Sequence, residues 1–225
     1  MGGQACVLYG AAEFSRDTDL AILASEANTE KLLQALEALQ AQVVAVPAFD
    51  LQYLDQGHAI HFRCQHPEAK GMRVDIMSRM RGVAAFGTLW KRRTTIELPG
   101  GTPCHLLSLP DLVQAKKTQR DKDWPMIRRL VEANYFQNSS SPNSEQIAFW
   151  LRELRTADLL IELAATQPKV CRAALKHRPL LHLAMAKDVS ALEKALITEE
   201  QKEREKDRAY WQPLKKELEK LRRGL

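Results

Sequence analysis

The chain has 225 residues, 45% of them hydrophobic, and a formal net charge of +5, which is enough for one or two domains with cores of their own. This composition excludes a disordered or collagen-like chain, and no apolar run approaches the ~20 residues of a transmembrane helix. No signal peptide is visible, and Cys6, Cys64, Cys104 and Cys171 lie far apart with no CxxC pair, so they read as reduced thiols of a cytoplasmic protein. The basic bias is mild: it suits an anionic substrate without by itself specifying nucleic acid.

Taken in chain order, Gly3–Gly10 suits a helix with Ala5, Leu8 and Tyr9 on its apolar face, and Thr18–Leu23 reads as a strand. Asn28 and Thr29 precede a periodic helix from Glu30, with Leu32, Leu33, Leu36 and Leu39 facing inward. Val43–Val46 suits a short strand. His58–Cys64 and Met72–Met77 alternate and flank PEAKG, the pattern of an antiparallel hairpin, and Thr94–Leu98 with Cys104–Leu107 around PGGTP makes a second. Pro110–Asp111 starts a helix through LVQAKKTQRDKDW, and Pro125 opens the next. After the polar segment 138–143, nearly everything reads helical. One helix runs from Ser144 to about Ala165, shorter ones lie near 170–176 and 179–186, and a long terminal helix breaks or kinks at Pro213. The domain reading is therefore 1–137, a linker at 138–143, and an all-α region at 144–225.

Three aspartates carry the chemistry. Asp17 and Asp19 lie two apart on one predicted strand, so both side chains share a face, roughly 6–7 Å apart along the chain. Asp75 sits on another predicted strand, in MRVDIM. Convergent carboxylates suit a hard divalent cation such as Mg²⁺ or Mn²⁺, the companion of nucleoside triphosphates. Upstream, Gly2–Gly3 is a small-residue turn where a phosphate can approach backbone amides. The bland readings are a solvated Asp pair, an exposed polar strand residue and a plain terminus. His58, His61, Cys64 and His66 have a zinc-like composition, but His58 and His61 fall on opposite strand faces and Cys64 and His66 lie across a turn, which argues against four converging ligands.

The series Gly2–Gly3, Asp17-x-Asp19 and Asp75 resembles the nucleotidyltransferase superfamily typified by DNA polymerase β. GGQACVLYGAAEFSRDTDLAI followed by SLPDLVQAKKTQRDKDW looks most like its AbiEii-like branch. The resemblance covers roughly Met1–Leu130. It implies an α+β fold, a nucleotidyltransferase-type mixed β-sheet flanked by helices, and transfer of a nucleoside monophosphate from an NTP to a hydroxyl acceptor. By the same resemblance Asp17, Asp19 and Asp75 are the metal ligands and catalytic residues. Gly2, Gly3, Ser15 and Lys116 bind the nucleotide by that resemblance; Arg120, on the same face of the predicted helix as Lys116, joins it, and Asp123 orders the two bases by salt bridges. The partners implied are an NTP, tRNA as an acceptor, and an antitoxin protein in a toxin–antitoxin or phage-defence pair, with no membrane. The sequence departs from the family pattern in three ways. The strand that leads into Gly-Gly is missing, Ser15 stands where Thr is common, and Glu13 stands where many relatives carry a basic residue. The missing strand and Glu13 motivate an alternative, a catalytically weak nucleotide-binding or protein-interaction module of the same fold.

Overall fold

The computed structural model describes residues 1–224, and its α+β chain divides into two compact units. The first comprises Met1–Ala115 together with the chain from Ala209 on, and the second is Lys116–Arg208. The segment 139–143 is the turn between two helices of the second unit.

The first unit holds a mixed four-stranded sheet. Its strands are β1 (Asp17–Ala21), β2 (Gln42–Val43), β3 (Ile60–Arg63) and β4 (Arg73–Met77), in spatial order β1-β4-β3-β2. β1 runs parallel to β4, and the β3–β4 and β2–β3 pairs are antiparallel. Alternation along the strands gives the sheet two chemically different faces. Ile60, Phe62, Val74 and Ile76 are buried on one face, in a core with Leu36 and Leu54. The other face is polar and carries the candidate site. The expected hairpin around PEAKG forms with Ile60 opposite Ile76 and Phe62 opposite Val74. The second expected hairpin forms as β5 (Thr94–Glu97) and β6 (Pro103–Leu106).

Among the described residues, five α-helices accompany these strands up to the start of the second unit. α1 (Gly2–Leu8) buries Ala5 and Cys6, while Leu8 is exposed. Tyr9 then donates its hydroxyl to Leu107 O (2.8 Å) and lies 2.7 Å from Thr94 Oγ1. α2 (Glu26–Ala38) starts four residues earlier than the sequence pattern suggests, because Ser25 and not Asn28 is its N-cap; Asn28 donates instead to Leu23 O. Leu36 points into the core and Leu33 faces solvent. α3 (Leu51–Gln56) and α4 (Phe86–Lys91) were not expected. Asp50 caps α3 by accepting from Gln52 N at 2.7 Å, and Gly57 closes it at φ +99°, where a side chain is strained. α5 (Leu109–Lys116) ends this stretch.

The second unit is helical: α6 (Asp123–Asn138), α7 (Ser144–Glu153), α8 (Ala157–Thr166), α9 (Pro168–Ala174), α10 (Leu181–Met185) and the start of α11 (Val189–Arg222). A capping box opens α7, with Asn143 and Gln146 exchanging bonds of 2.8 and 2.9 Å. The single helix expected from Ser144 to Ala165 is two, because Leu154 turns extended and Arg178 takes the carbonyls of Leu151 and Leu154. α11 continues through Pro213, so of the expected break or kink the break does not occur. Among the described residues no helix is long and apolar enough to cross a membrane.

Candidate carboxylate site

The β1–β4 register sets Asp17 beside Arg73 and Asp19 beside Asp75. Registered neighbours in a sheet share a face. Asp17, Asp19, Arg73 and Asp75 therefore form one polar patch. β3 extends it with His61, registered to Asp75, and Arg63, registered to Arg73.

Within this patch Asp75 is 9% exposed and well furnished with donors. Its Oδ1 accepts from Arg73 Nε at 2.8 Å and lies 2.8 Å from His61 Nδ1. Arg73 Nη2 is also 3.0 Å from that ring nitrogen. Nδ1 donates to the carboxylate in one tautomer and accepts from the guanidinium in the other, one at a time. Burial pushes the Asp75 carboxyl up, but the hydrogen bonds and charges of His61 and Arg73 more than offset it, so it sits below its usual range. Arg73 is held above its ordinary value, first by the Asp75 bond and further by the charges of Asp75, Asp17 and Asp19, against the effect of burial. One guanidinium thus feels all three carboxylates.

The glycine pair stands directly on this patch. Gly2 has φ +66°, and a Cβ there would lie 1.8 Å from Asp19 Oδ2. The Gly3 amide donates to the same oxygen at 3.3 Å, and a Cβ on Gly3 would meet Ser15 Oγ at 2.3 Å. The two glycines are required by this close approach. Ser15 donates to Asp17 O at 3.0 Å, and the Met1 amino group donates to Asp19 O at 2.8 Å. Gly2, Gly3 and Ser15 are thus brought to Asp17 and Asp19.

Lys116 and Arg120 belong to the second unit, where they surround Asp123. Lys116 Nζ lies 3.2 Å and Arg120 Nε 2.7 Å from the Asp123 carboxylate, and Thr118 Oγ donates to it as well. Burial pushes Asp123 up, and the charge of Lys116 with the hydrogen bonds of Thr118 and Arg120 more than reverses that. Lys116 and Arg120 do not share a helix face as expected, because residues 117–122 are not helical. Thr118 explains the break. Its carbonyl accepts from Trp124 Nε1 and its hydroxyl from Arg120 N, so side-chain bonds replace helical ones.

The zinc-like histidines go separate ways: His58 is buried and bonds Glu217 at 2.9 Å, while His61 joins Asp75. Sequence reasoning missed His61 and Arg73 as partners of Asp75. Counting back symmetrically from PEAKG sets Asp75 against Arg63; the observed register, with Cys64 N donating to Met72 O, moves its partner to His61. As the side chains stand, no group of three or more His, Cys, Asp or Glu among the described residues is arranged to hold a metal ion. The fit of a divalent ion is therefore one of backbone placement and donor chemistry, three carboxylates on one sheet face, with Arg73 as the present counter-charge. No protein-family model and no curated protein matches this chain.

Proposed function

We propose that this chain is a Mg²⁺- or Mn²⁺-dependent nucleotidyltransferase of the AbiEii-like branch, moving a nucleoside monophosphate from an NTP to a hydroxyl acceptor, with tRNA the candidate acceptor. The observation that carries the reading is the parallel β1–β4 register, which sets Asp19 against Asp75 with Asp17 on the same face. In such a transfer the acceptor oxygen forms a bond to the α-phosphorus, the α–β bridge breaks, and pyrophosphate departs with its electrons. Divalent ions held by Asp17, Asp19 and Asp75 would neutralise the triphosphate and orient the acceptor. Asp75, kept below the usual carboxylate range, stays ionised as a ligand, and in this reading it helps deprotonate the acceptor hydroxyl. Gly2 and Gly3 fix the Asp19 carboxylate.

A specific observation favours a second reading, a nucleotide-binding or protein-interaction module with little turnover: the Asp75 carboxylate already holds Arg73 and His61. Incubation with labelled NTPs, Mg²⁺ and total RNA separates the two. Label transfer that is lost in Asp17→Ala/Asp19→Ala supports the enzyme; NTP binding without pyrophosphate release supports the module. Transfer equal in wild type and double variant ends the catalytic assignment. The toxin role predicts growth arrest on expression, relieved by the same double substitution and by a co-expressed antitoxin protein.

A further inference from the structure

The second unit contains a feature that the nucleotidyltransferase reading leaves unused. Between α7, α9 and the start of α11 lies a cleft of about 490 Å³, within the ~300–1,000 Å³ typical of small-molecule sites. Its apolar wall is built from small side chains, chiefly Ala148, Ala173 and Ala174 with Leu151. Its charged lining includes Lys117, Arg152, Arg155 and Arg178.

These four cations share two carboxylates. Glu153 lies 2.7 Å from Lys117 and 3.2 Å from Arg152, while Glu199 lies 3.1 Å from Arg155 and 2.8 Å from Arg178. Glu203, also on the lining, pairs with Lys206 at 2.7 Å. Positive charge is therefore in surplus in a partly desolvated place, where an anion gains most. The two arginines differ in how far they are used. Arg178, 5% exposed, spends its guanidinium on both Glu199 oxygens and on Leu151 O and Leu154 O, capping the end of α7. Arg155 has a 9% exposed side chain and gives one N–H to Glu199 and one to Leu196 O, out of five donors. Its guanidinium lies 4.8 Å over the Trp124 ring. Burial holds Arg155 below its ordinary value, and Arg178 adds to this against the pull of Glu199.

We propose that this cleft binds a small organic anion, a phosphate or carboxylate group on an apolar body, with Arg155 gripping the anionic head and the alanine wall receiving the body. A planar guanidinium with donors to spare suits a phosphate or carboxylate, and burial strengthens the bond. The site lies wholly in the second unit and does not depend on the carboxylate site in the first.

The test uses the full chain with ¹⁵N-labelled tryptophan, carrying Asp17→Asn/Asp19→Asn so that nucleotide chemistry does not contribute. The reporter is the Trp124 indole N–H, which donates to Thr118 O at 2.8 Å beneath Arg155. The probes are phenyl phosphate and benzoate, with inorganic phosphate as head alone and benzyl alcohol as body alone. The expected result is a saturable Trp124 shift with phenyl phosphate or benzoate, weaker with inorganic phosphate, and none with benzyl alcohol. Which of the two binds names the head group. Arg155→Met weakens binding about tenfold or more, as loss of a charged hydrogen bond implies. Ala173→Leu, which keeps every charge and fills the wall, weakens it too and decides the matter if Arg155→Met does not fold. No saturable shift, affinity unchanged in both folded variants, or equal binding of inorganic phosphate overturns the proposal.

Discussion

Replacing Tyr135 by Phe isolates one hydrogen bond and gives it a pH signature. Tyr135 is 5% exposed and donates its hydroxyl to Glu162 Oε1 at 3.0 Å, while its ring packs edge-on against Trp150 with centroids 4.9 Å apart. Phenylalanine keeps the ring contact and removes only the bond. A hydrogen bond to a charged acceptor contributes ~1.5–3 kcal/mol. Glu162 is exposed and regains water when the hydroxyl leaves, which brings the contribution below that range, to about 1 kcal/mol at pH 8. The alkaline limb behaves differently. Burial, then the bond to and charge of Glu162, pushes the phenol up to about 12 from an ordinary value of 10.0. Between these values the unfolded chain has lost the proton and the folded chain keeps it, so stability falls as pH rises. Two pKa units set a ceiling of ~2.7 kcal/mol on that loss, and screening of the exposed Glu162 brings it to roughly half. The Phe variant has no such loss. Urea unfolding of both proteins from pH 8 to 12 tests this through the midpoint difference at each pH. The wild type is the more stable at pH 8, the two converge near pH 11, and the order reverses above it. A difference that stays constant over the whole range refutes the reasoning.

Three further outcomes follow from the same geometry. Asp123→Asn strips Lys116 and Arg120 of their carboxylate in a buried setting, a loss of about 3 kcal/mol or ~6–12 °C in melting temperature by calorimetry. Because the folded value of Asp123 lies below its ordinary 3.8, its stabilisation is complete above that pH and disappears as pH falls through the lower folded value; the Asn variant shows a flatter acid limb. Gly2→Ala forces a Cβ onto Asp19 Oδ2 at a left-handed φ; roughly 1–2 kcal/mol of stability is lost while nucleotidyl transfer, measured as pyrophosphate release, is abolished. Mg²⁺ at a hundred times its dissociation constant raises wild-type stability by ~2.7 kcal/mol in a thermal melt, and leaves Asp17→Asn/Asp19→Asn unmoved.

The polar face of the sheet was legible in the sequence because period-2 alternation is a local signal. Asp17 and Asp19 share a face by spacing alone, and the Ile60/Phe62 and Val74/Ile76 pattern marked the opposite face as core. What escaped were features decided by residues far away in the chain. α3 has six residues and buries only Leu54, too little periodicity to register, and its cues were Asp50 and Gly57. The split between α7 and α8 is invisible in an apolar pattern that continues through Leu154, because the break is stabilised by Arg178, 24 positions on. The pairing of Lys116 with Arg120 on one helix face failed for a similar reason. Thr118 and Asp123 offer the backbone competing bonds that no helical period reports.

Arg73 decides how the carboxylate patch meets a cation. Asp17, Asp19 and Asp75 bring three negative charges to one sheet face, and Arg63 and Arg73 return two positive charges. The Met1 amino group sits at Asp19 O as well, so a divalent ion competes with cations already present, Arg73 foremost. The same guanidinium holds Asp75 Oδ1 at 2.8 Å, an oxygen the ion needs. Two unit charges 4 Å apart interact by ~4 kcal/mol at an effective dielectric of 20. The Arg73 side chain is 39% exposed, so solvent reduces the share that opposes metal binding to about 1 kcal/mol. Arg73→Met therefore has two effects of opposite sign. Without metal the variant melts lower, since Asp75 keeps only His61. With Mn²⁺, titrated calorimetrically or by electron paramagnetic resonance, it binds about fivefold more tightly than wild type. A pair that serves structure alone gives the first effect without the second. Unchanged or weaker Mn²⁺ affinity in a folded Arg73→Met protein therefore removes Asp75 from the metal site and leaves it as the anchor of β3 to β4.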